Sequence, residues 1–135
     1  MHTHLLGDKA SLSKIRKLIR IDLVQVGARP SIVFDCLVAV TEACGHALRG
    51  RPDREGRPSR ISWEIDRHEA QFCIEDSSVG SDEGNGHPRR RIHEVIEQET
   101  GMRGLGEDVI KQLMDEVTIE ETPSAKLVTM TKKIR

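Results

Sequence analysis

The chain has 135 residues, enough for one domain with a single core, and no second domain is expected. Its 21 basic and 22 acidic residues leave a net charge of −1, so no global field draws it to nucleic acid or to a membrane surface. The aromatics are Trp63, Phe34 and Phe72, too few for a base-stacking surface; no apolar run reaches the roughly 20 residues of a membrane span, and the opening Met1-His2-Thr3-His4 lacks the apolar segment of a signal peptide.

A short strand is expected at residues 2 to 6. Ser11 is placed to cap a helix over about 12 to 26, with Leu12, Ile15, Ile19, Leu23 and Val26 on one face and Gly27 as its stop. Pro30-Ser31 opens a second helix that runs to about Arg49. Residues 50 to 59 read as a loop from their glycine, proline and charge. Ile61, Trp63 and Ile65 alternate with polar residues, and Ala70, Phe72 and Ile74 repeat the period across a turn at Arg67-His68, which predicts a hairpin with Trp63 in the core. Residues 77 to 91 hold one aliphatic side chain, Val79, and read as a long mobile loop. A weak helix follows at 92 to 98. A third main helix spans 107 to 116, and residues 117 to 121 and 127 to 132 close the chain as a hairpin around Thr122-Pro123-Ser124. Strands gathered in hairpins, with helices between them, predict an α+β two-layer sandwich: a mixed or antiparallel sheet covered on one face.

Two stretches carry candidate chemistry. On the second helix Val33, Leu37, Val40, Cys44 and Ala47 form an apolar face, and Asp35, Glu42, His46 and Arg49 fall within about 60° of one another on a separate line. Such a line reads either as a solvated face or as the wall of a cleft. The helix is apolar on most of its other flanks, which predicts burial and so favours the cleft. Glu42 and His46, one turn apart, would there meet a metal or a water. The other stretch is Gly101-Met102-Arg103-Gly104-Leu105-Gly106, running into the third helix. Glycines permit close backbone approach and positive φ, and a helix start presents unpaired N–H groups that suit a phosphate. A run of this kind also serves simply to end one element and begin the next.

Together these residues resemble a family. Thr41-Glu42-Ala43-Cys44-Gly45-His46-Ala47-Leu48-Arg49 is similar to the N box of the GHKL (Bergerat-fold, histidine-kinase-like) ATPases, and most similar to the anti-sigma-factor serine-protein kinases of bacterial partner switching. Asp76-Ser77-Ser78-Val79-Gly80 resembles the G1 box, and Arg103-Gly104-Leu105-Gly106 the G2 box. The resemblance covers nearly the whole chain. It implies ATP with magnesium, Glu42 as the general base that accepts a hydroxyl proton, His46 and Arg49 beside it, and Asp76, with Ser78 and Gly80, at the adenine. It further implies a phosphate turn at Arg103, Gly104, Leu105 and Gly106 and an ATP lid over about 77 to 100. The partners implied are a sigma factor and an anti-sigma antagonist protein, with a tendency to homodimerise, in the cytoplasm.

Three positions depart from the family pattern. His46 replaces the asparagine that holds magnesium, and imidazole is a poor ligand for an ion that prefers oxygen. Ser78 replaces a glycine of the G1 box. Lys126 and Leu127 align where the family has Gly-Thr, so Leu127 supplies no hydroxyl to assist Asp76. Two functions follow from opposite sides of this balance: a protein serine kinase acting on an anti-sigma antagonist, or a degenerate binding module that holds a protein partner with weak nucleotide binding or none. A metal-dependent hydrolase built on Glu42 and His46 lacks a second well-placed histidine.

The remaining features have plain readings. Cys36, Cys44 and Cys73 lie in apolar stretches without ligand spacing and read as reduced, buried thiols. The arginines between Arg49 and Arg60 are interspersed with Asp53 and Glu55, which makes a solvated loop. Arg89-Arg90-Arg91 reads either as a solvated part of the lid or as a contact for phosphates or an acidic partner, and His87 and His93 read as exposed.

Overall fold

Period-2 alternation builds the sheet. The structure, a computed structural model, describes residues 2–49, 57–77, 102–123 and 125–135; for residues 102–105 it describes the backbone alone. The strands are β1 (His2–Leu6), β2 (Ser59–Ile65), β3 (Glu69–Asp76), β4 (Glu116–Glu121) and β5 (Lys126–Lys133), and the helices are α1 (Lys9–Gln25), α2 (Pro30–Arg49) and α3 (Met102–Leu113). The strands form one sheet in the order β1-β2-β3-β5-β4, antiparallel at each junction. Of the mixed and antiparallel sheets expected, the antiparallel one forms.

The register puts the apolar residues in rows across the sheet. Ile61 pairs with Ile74, Ile74 with Val128, and Val128 with Ile119; Trp63, Phe72, Met130 and Val117 make the next row. Directly opposed residues share a face, and this face is the buried one. The other face carries Ser62, Cys73, Thr129 and Thr118 in register. Cys73 is therefore half-buried on the uncovered face, a departure from the buried thiol expected. Cys36 and Cys44 are buried on α2 as expected, and burial pushes both thiols up to about 12. Each large core side chain contributes about 1.5–3 kcal/mol by leaving water. Trp63, Phe72, Ile15, Ile19 and Leu23 are among those fully buried.

α1 begins earlier than Ser11. Asp8 is its N-cap, and the Asp8 carboxylate accepts from Ser11 N at 2.8 Å and from Ser11 Oγ at 2.9 Å. Ser11 is thus the donor to a cap three residues upstream. A carboxylate with full charge satisfies a first-turn N–H better than a hydroxyl. Gly27, at φ +83, ends the helix as expected: Ala28 N donates to Leu23 O and Gly27 N to Val24 O, both at 3.0 Å. The edge strand β1 is pinned to α1 through Trp63, whose Nε1 donates to Asp22 Oδ2 at 2.8 Å. The rings of His2 and His4 each stack on Trp63 at 5.2 Å.

α2 is the central helix, packed between α1 and α3 and against the sheet. With 20 residues and a mean hydropathy of 1.4 it is, by length and composition, apolar enough to cross a membrane, which the sequence reading did not anticipate. Here its apolar side chains Val33, Cys36, Leu37, Ala39, Val40, Ala43, Cys44 and Ala47 are buried in the core of the domain.

Candidate functional site

The polar line of α2 divides between two tasks. Asp35 does not face a cleft. Its Oδ2 lies 3.2 Å from Lys132 Nζ, and that ammonium also donates to Leu113 O at 2.6 Å. Lys132 thereby caps the C-terminal end of α3 and ties it to α2 and β5, where a cation suits the helix dipole. Glu42 lies two turns further along α2 and meets the other end of α3. A Cβ built on Gly106 would stand 3.1 Å from Glu42 Oε2. His46, one turn beyond, brings Nδ1 to 3.4 Å from Asp76 Oδ2. Arg49 folds back along the helix, with Nη1 3.2 Å from the place a Cβ on Gly45 would occupy. Only helical spacing, i to i+4, is needed to carry a side chain from α3 to β3 in one step.

Asp76 is the last residue of β3 and is only 5% exposed, whereas the His46 side chain is 53% exposed. With its proton on Nδ1, the imidazole donates to the carboxylate and presents its other edge to solvent. The chain leaving Asp76 is fixed: Ser77 N donates to Ser59 Oγ at 3.1 Å, and Ser77 Oγ donates to Arg57 O at 3.0 Å. Ser77 is buried, so it belongs to the end of the sheet, where the expected lid was to begin. The rest of that lid, with Ser78, Gly80, His87, the arginines 89 to 91, His93 and the helix expected at 92 to 98, lies outside the described residues, as does most of the loop expected over 50 to 59.

Register corrects the position opposite Asp76. Its direct partner on β5 is Lys126, while Leu127 opposes Glu75. Strand alternation puts Leu127 on the uncovered face, away from Asp76. On Asp76's face the nearest β5 residues are Lys126 and Val128, and neither offers a hydroxyl. Lys126, aligned with the family's glycine, is thus the residue that stands beside Asp76. Counting back by two from Val128 and Met130 would have found it.

The glycine-rich run is helical. α3 begins at Met102, not at 107, so Arg103, Gly104, Leu105 and Gly106 form its first turn and the start of its second. Among the described residues the positive-φ glycine is Gly27, so the freedom expected of Gly104 and Gly106 is not used for φ. For Gly106 the reason is close approach: its missing side chain leaves room for the Glu42 carboxylate. The side chains of Arg103 and Leu105, and residue Gly101, lie outside the described residues. The first four N–H groups of a helix lack intrahelical acceptors, so a negative charge is favoured beside this end of α3.

The donors brought together are the carboxylates of Glu42 and Asp76 and the imidazole of His46. A carboxylate at a helix start can accept a proton from a hydroxyl placed there. The buried Asp76 carboxylate can accept from an amine. Magnesium fits less well: it wants oxygen in a near-octahedral set, His46 offers nitrogen, and no group of three His, Cys, Asp or Glu among the described residues stands ready to hold a metal.

A family model described as "Histidine kinase-like ATPase domain" matches residues 6–132. That span runs from the end of β1 to Lys132 and holds Glu42, His46, Asp76 and Gly106. No curated protein matches the chain.

Proposed function

We propose a function for this chain from its family: it belongs to the histidine kinase-like ATPase domain family, which implies ATP binding and usually magnesium. Within that family we infer an anti-sigma-factor regulator of bacterial partner switching, a cytoplasmic protein that sequesters a sigma factor and phosphorylates a serine of an antagonist protein. One observation carries this reading: the Glu42 carboxylate lies against the second turn of α3, at the helix end that favours anions. In the proposed reaction Glu42 Oε2 accepts the serine hydroxyl proton as the oxygen attacks the γ-phosphorus of ATP. The bond from that phosphorus to the bridging oxygen breaks, and ADP leaves with the electron pair. Asp76 accepts from the exocyclic amine of adenine.

A second reading is favoured by a different observation. His46 stands beside Asp76 at 3.4 Å and brings nitrogen to the position where the resemblance expects a magnesium ligand. Under this reading the chain keeps the fold and the protein partners but binds nucleotide weakly and transfers no phosphate.

Thermal unfolding with ATP and magnesium separates the two. Saturation at 100 times Kd stabilises by about 2.7 kcal/mol. Stabilisation of that size, together with labelling of a serine-bearing antagonist from γ-labelled ATP, supports the kinase. A partner pulled down without nucleotide, with no ATP shift at millimolar concentration, supports the binding module. Absence of both ATP binding and any sigma or antagonist complex rejects the proposal.

A further inference from the structure

The solvent face of α1 carries five cations and no carboxylate. Lys9, Lys14, Arg16, Lys17 and Arg20 are all exposed. Asp22, the one acid of the helix, is turned inward, where it accepts from the Trp63 indole at 2.8 Å. Among the described residues none of the five cations has an ion-pair partner. The arrangement works against the helix itself. Lys9 stands in the first turn, where the dipole disfavours a cation. Lys14 and Lys17, Lys17 and Arg20, and Arg16 and Arg20 are like charges at i,i+3 or i,i+4 spacing, which repel. In a chain of net charge −1 this is a local concentration of charge, held at a cost in stability.

Two aliphatic side chains stand within the same face. Ile21 is 52% exposed and Val24 60%. At 100° per residue, Lys17, Ile21 and Val24 fall within about 60° of one another. Lys14 lies on one flank of that strip, and Arg16 and Arg20 lie on the other. An apolar centre with a charged rim is the pattern of a protein–protein contact.

We infer that the outer face of α1 docks an acidic amphipathic helix of a partner protein. Its carboxylates pair with the five cations, and its aliphatic side chains cover Ile21 and Val24. Charge complementarity selects this occupant. A lipid surface calls for a continuous apolar arc with bulky residues, and the apolar arc of α1, Ile15, Ile19 and Leu23, is already buried in the domain. A phosphate backbone would pair with the cations but leave Ile21 and Val24 uncovered. The face lies on the side of α2 away from α3, so the proposal stands whether or not Glu42 transfers phosphate.

The test uses, at low salt, the full chain and a synthetic helix of three heptads, each reading Leu-Glu-Ala-Leu-Ala-Ala-Glu, which flanks the leucine stripe with carboxylates and sets no two of them at i,i+3 or i,i+4. A peptide of equal composition with its leucines scattered is the control. The patterned helix should bind at least about tenfold tighter than the control, a difference of about 1.4 kcal/mol. Lys14→Gln/Lys17→Gln/Arg20→Gln should weaken binding and flatten its salt dependence. Ile21→Ser/Val24→Ser should weaken binding about tenfold and leave the salt dependence in place. All these side chains are exposed, so circular dichroism should show both variants folded. Equal binding of the two peptides overturns the inference. So does tighter binding of phosphatidylserine vesicles or duplex DNA than of the patterned helix, or loss of peptide binding in both variants only through failure to fold. Self-association of the wild-type chain that both variants abolish, with no peptide binding, would assign the face to a second copy and overturn it equally.

Discussion

The Glu42 carboxylate occupies the space that a side chain at Gly106 would fill, with Oε2 3.1 Å from the position of the missing Cβ. This contact couples α2 to α3 and sets up a double-mutant test. Alanine is better than glycine inside a helix by about 1 kcal/mol. Gly106→Ala should therefore stabilise by about that amount in a Glu42→Ala background. With Glu42 present it should gain much less, or destabilise, because the carboxylate must shift. Urea unfolding of the four proteins reads the coupling. Equal effects of Gly106→Ala in both backgrounds would show that the two residues do not touch.

His46→Asn replaces an imidazole with an amide that offers an oxygen. It should strengthen magnesium-dependent nucleotide binding or create phosphotransfer, whereas Glu42→Ala should abolish any transfer and spare partner binding. Calorimetric titration with magnesium-ATP and a transfer assay check both. A wild-type protein that transfers phosphate at an ordinary kinase rate, unchanged by His46→Asn, would contradict the reading of His46 as the weak point.

Lys132 joins three elements, so its loss should be felt beyond its strand. Lys132→Met removes the donor to Leu113 O and leaves Asp35 without its cation. A hydrogen bond to a charged group is worth about 1.5–3 kcal/mol, and the variant should lose stability in that range. Asp35→Asn should cost less, since the lysine keeps its carbonyl. Chemical denaturation would refute the tie if Lys132→Met were neutral.

The thiols should divide two to one. Cys36 and Cys44 are held up to about 12 by burial, against 9.0 for a free thiol. A native pKa above the unfolded one means that their protonation favours the fold fully below pH 9. That contribution falls as pH rises from about 9 towards 12. Native protein at neutral pH should give one labelled cysteine, Cys73, and three only after unfolding. Mass spectrometry showing rapid modification of Cys44 in native protein would overturn this.

The Asp8 cap should weaken in acid. Hydrogen bonds from the Ser11 backbone N–H and Ser11 hydroxyl hold its carboxyl below the usual carboxylate range. A lowered native pKa gives stability that is present above the unfolded value and lost as pH falls through the native one. Asp8→Ala should destabilise at neutral pH, and its difference from wild type should shrink in acid. A pH-independent difference would point to packing as the cause.

Much of the fold was legible because its signals are local. The hairpin of β2 and β3, the stop at Gly27, the length of α2 and the closing hairpin each rest on periodicity or turn chemistry within a few residues. The errors were local as well. The apolar period begins beside Ser11 and points to it as the cap, but Asp8 competes with a full charge. The glycines before residue 107 suggested a turn, yet helical backbone tolerates glycine when a neighbouring helix needs the space. Of the motif residues, Glu42 meets Gly106 at the start of α3 and His46 meets Asp76, while Arg49 lies back over Gly45.

By itself the sequence determined which residues face inward along each strand and helix, because periods of 2 and 3.6 are properties of the backbone. It also carried the family resemblance, since the spacing of the boxes survives in the chain. Tertiary structure decided the neighbours. That Lys126 and not Leu127 stands opposite Asp76 depends on the register of β3 against β5. That Asp35 serves Lys132 while Glu42 serves α3 depends on how far along α2 each end of α3 falls. Such choices are made when distant segments pack, and no local period encodes them.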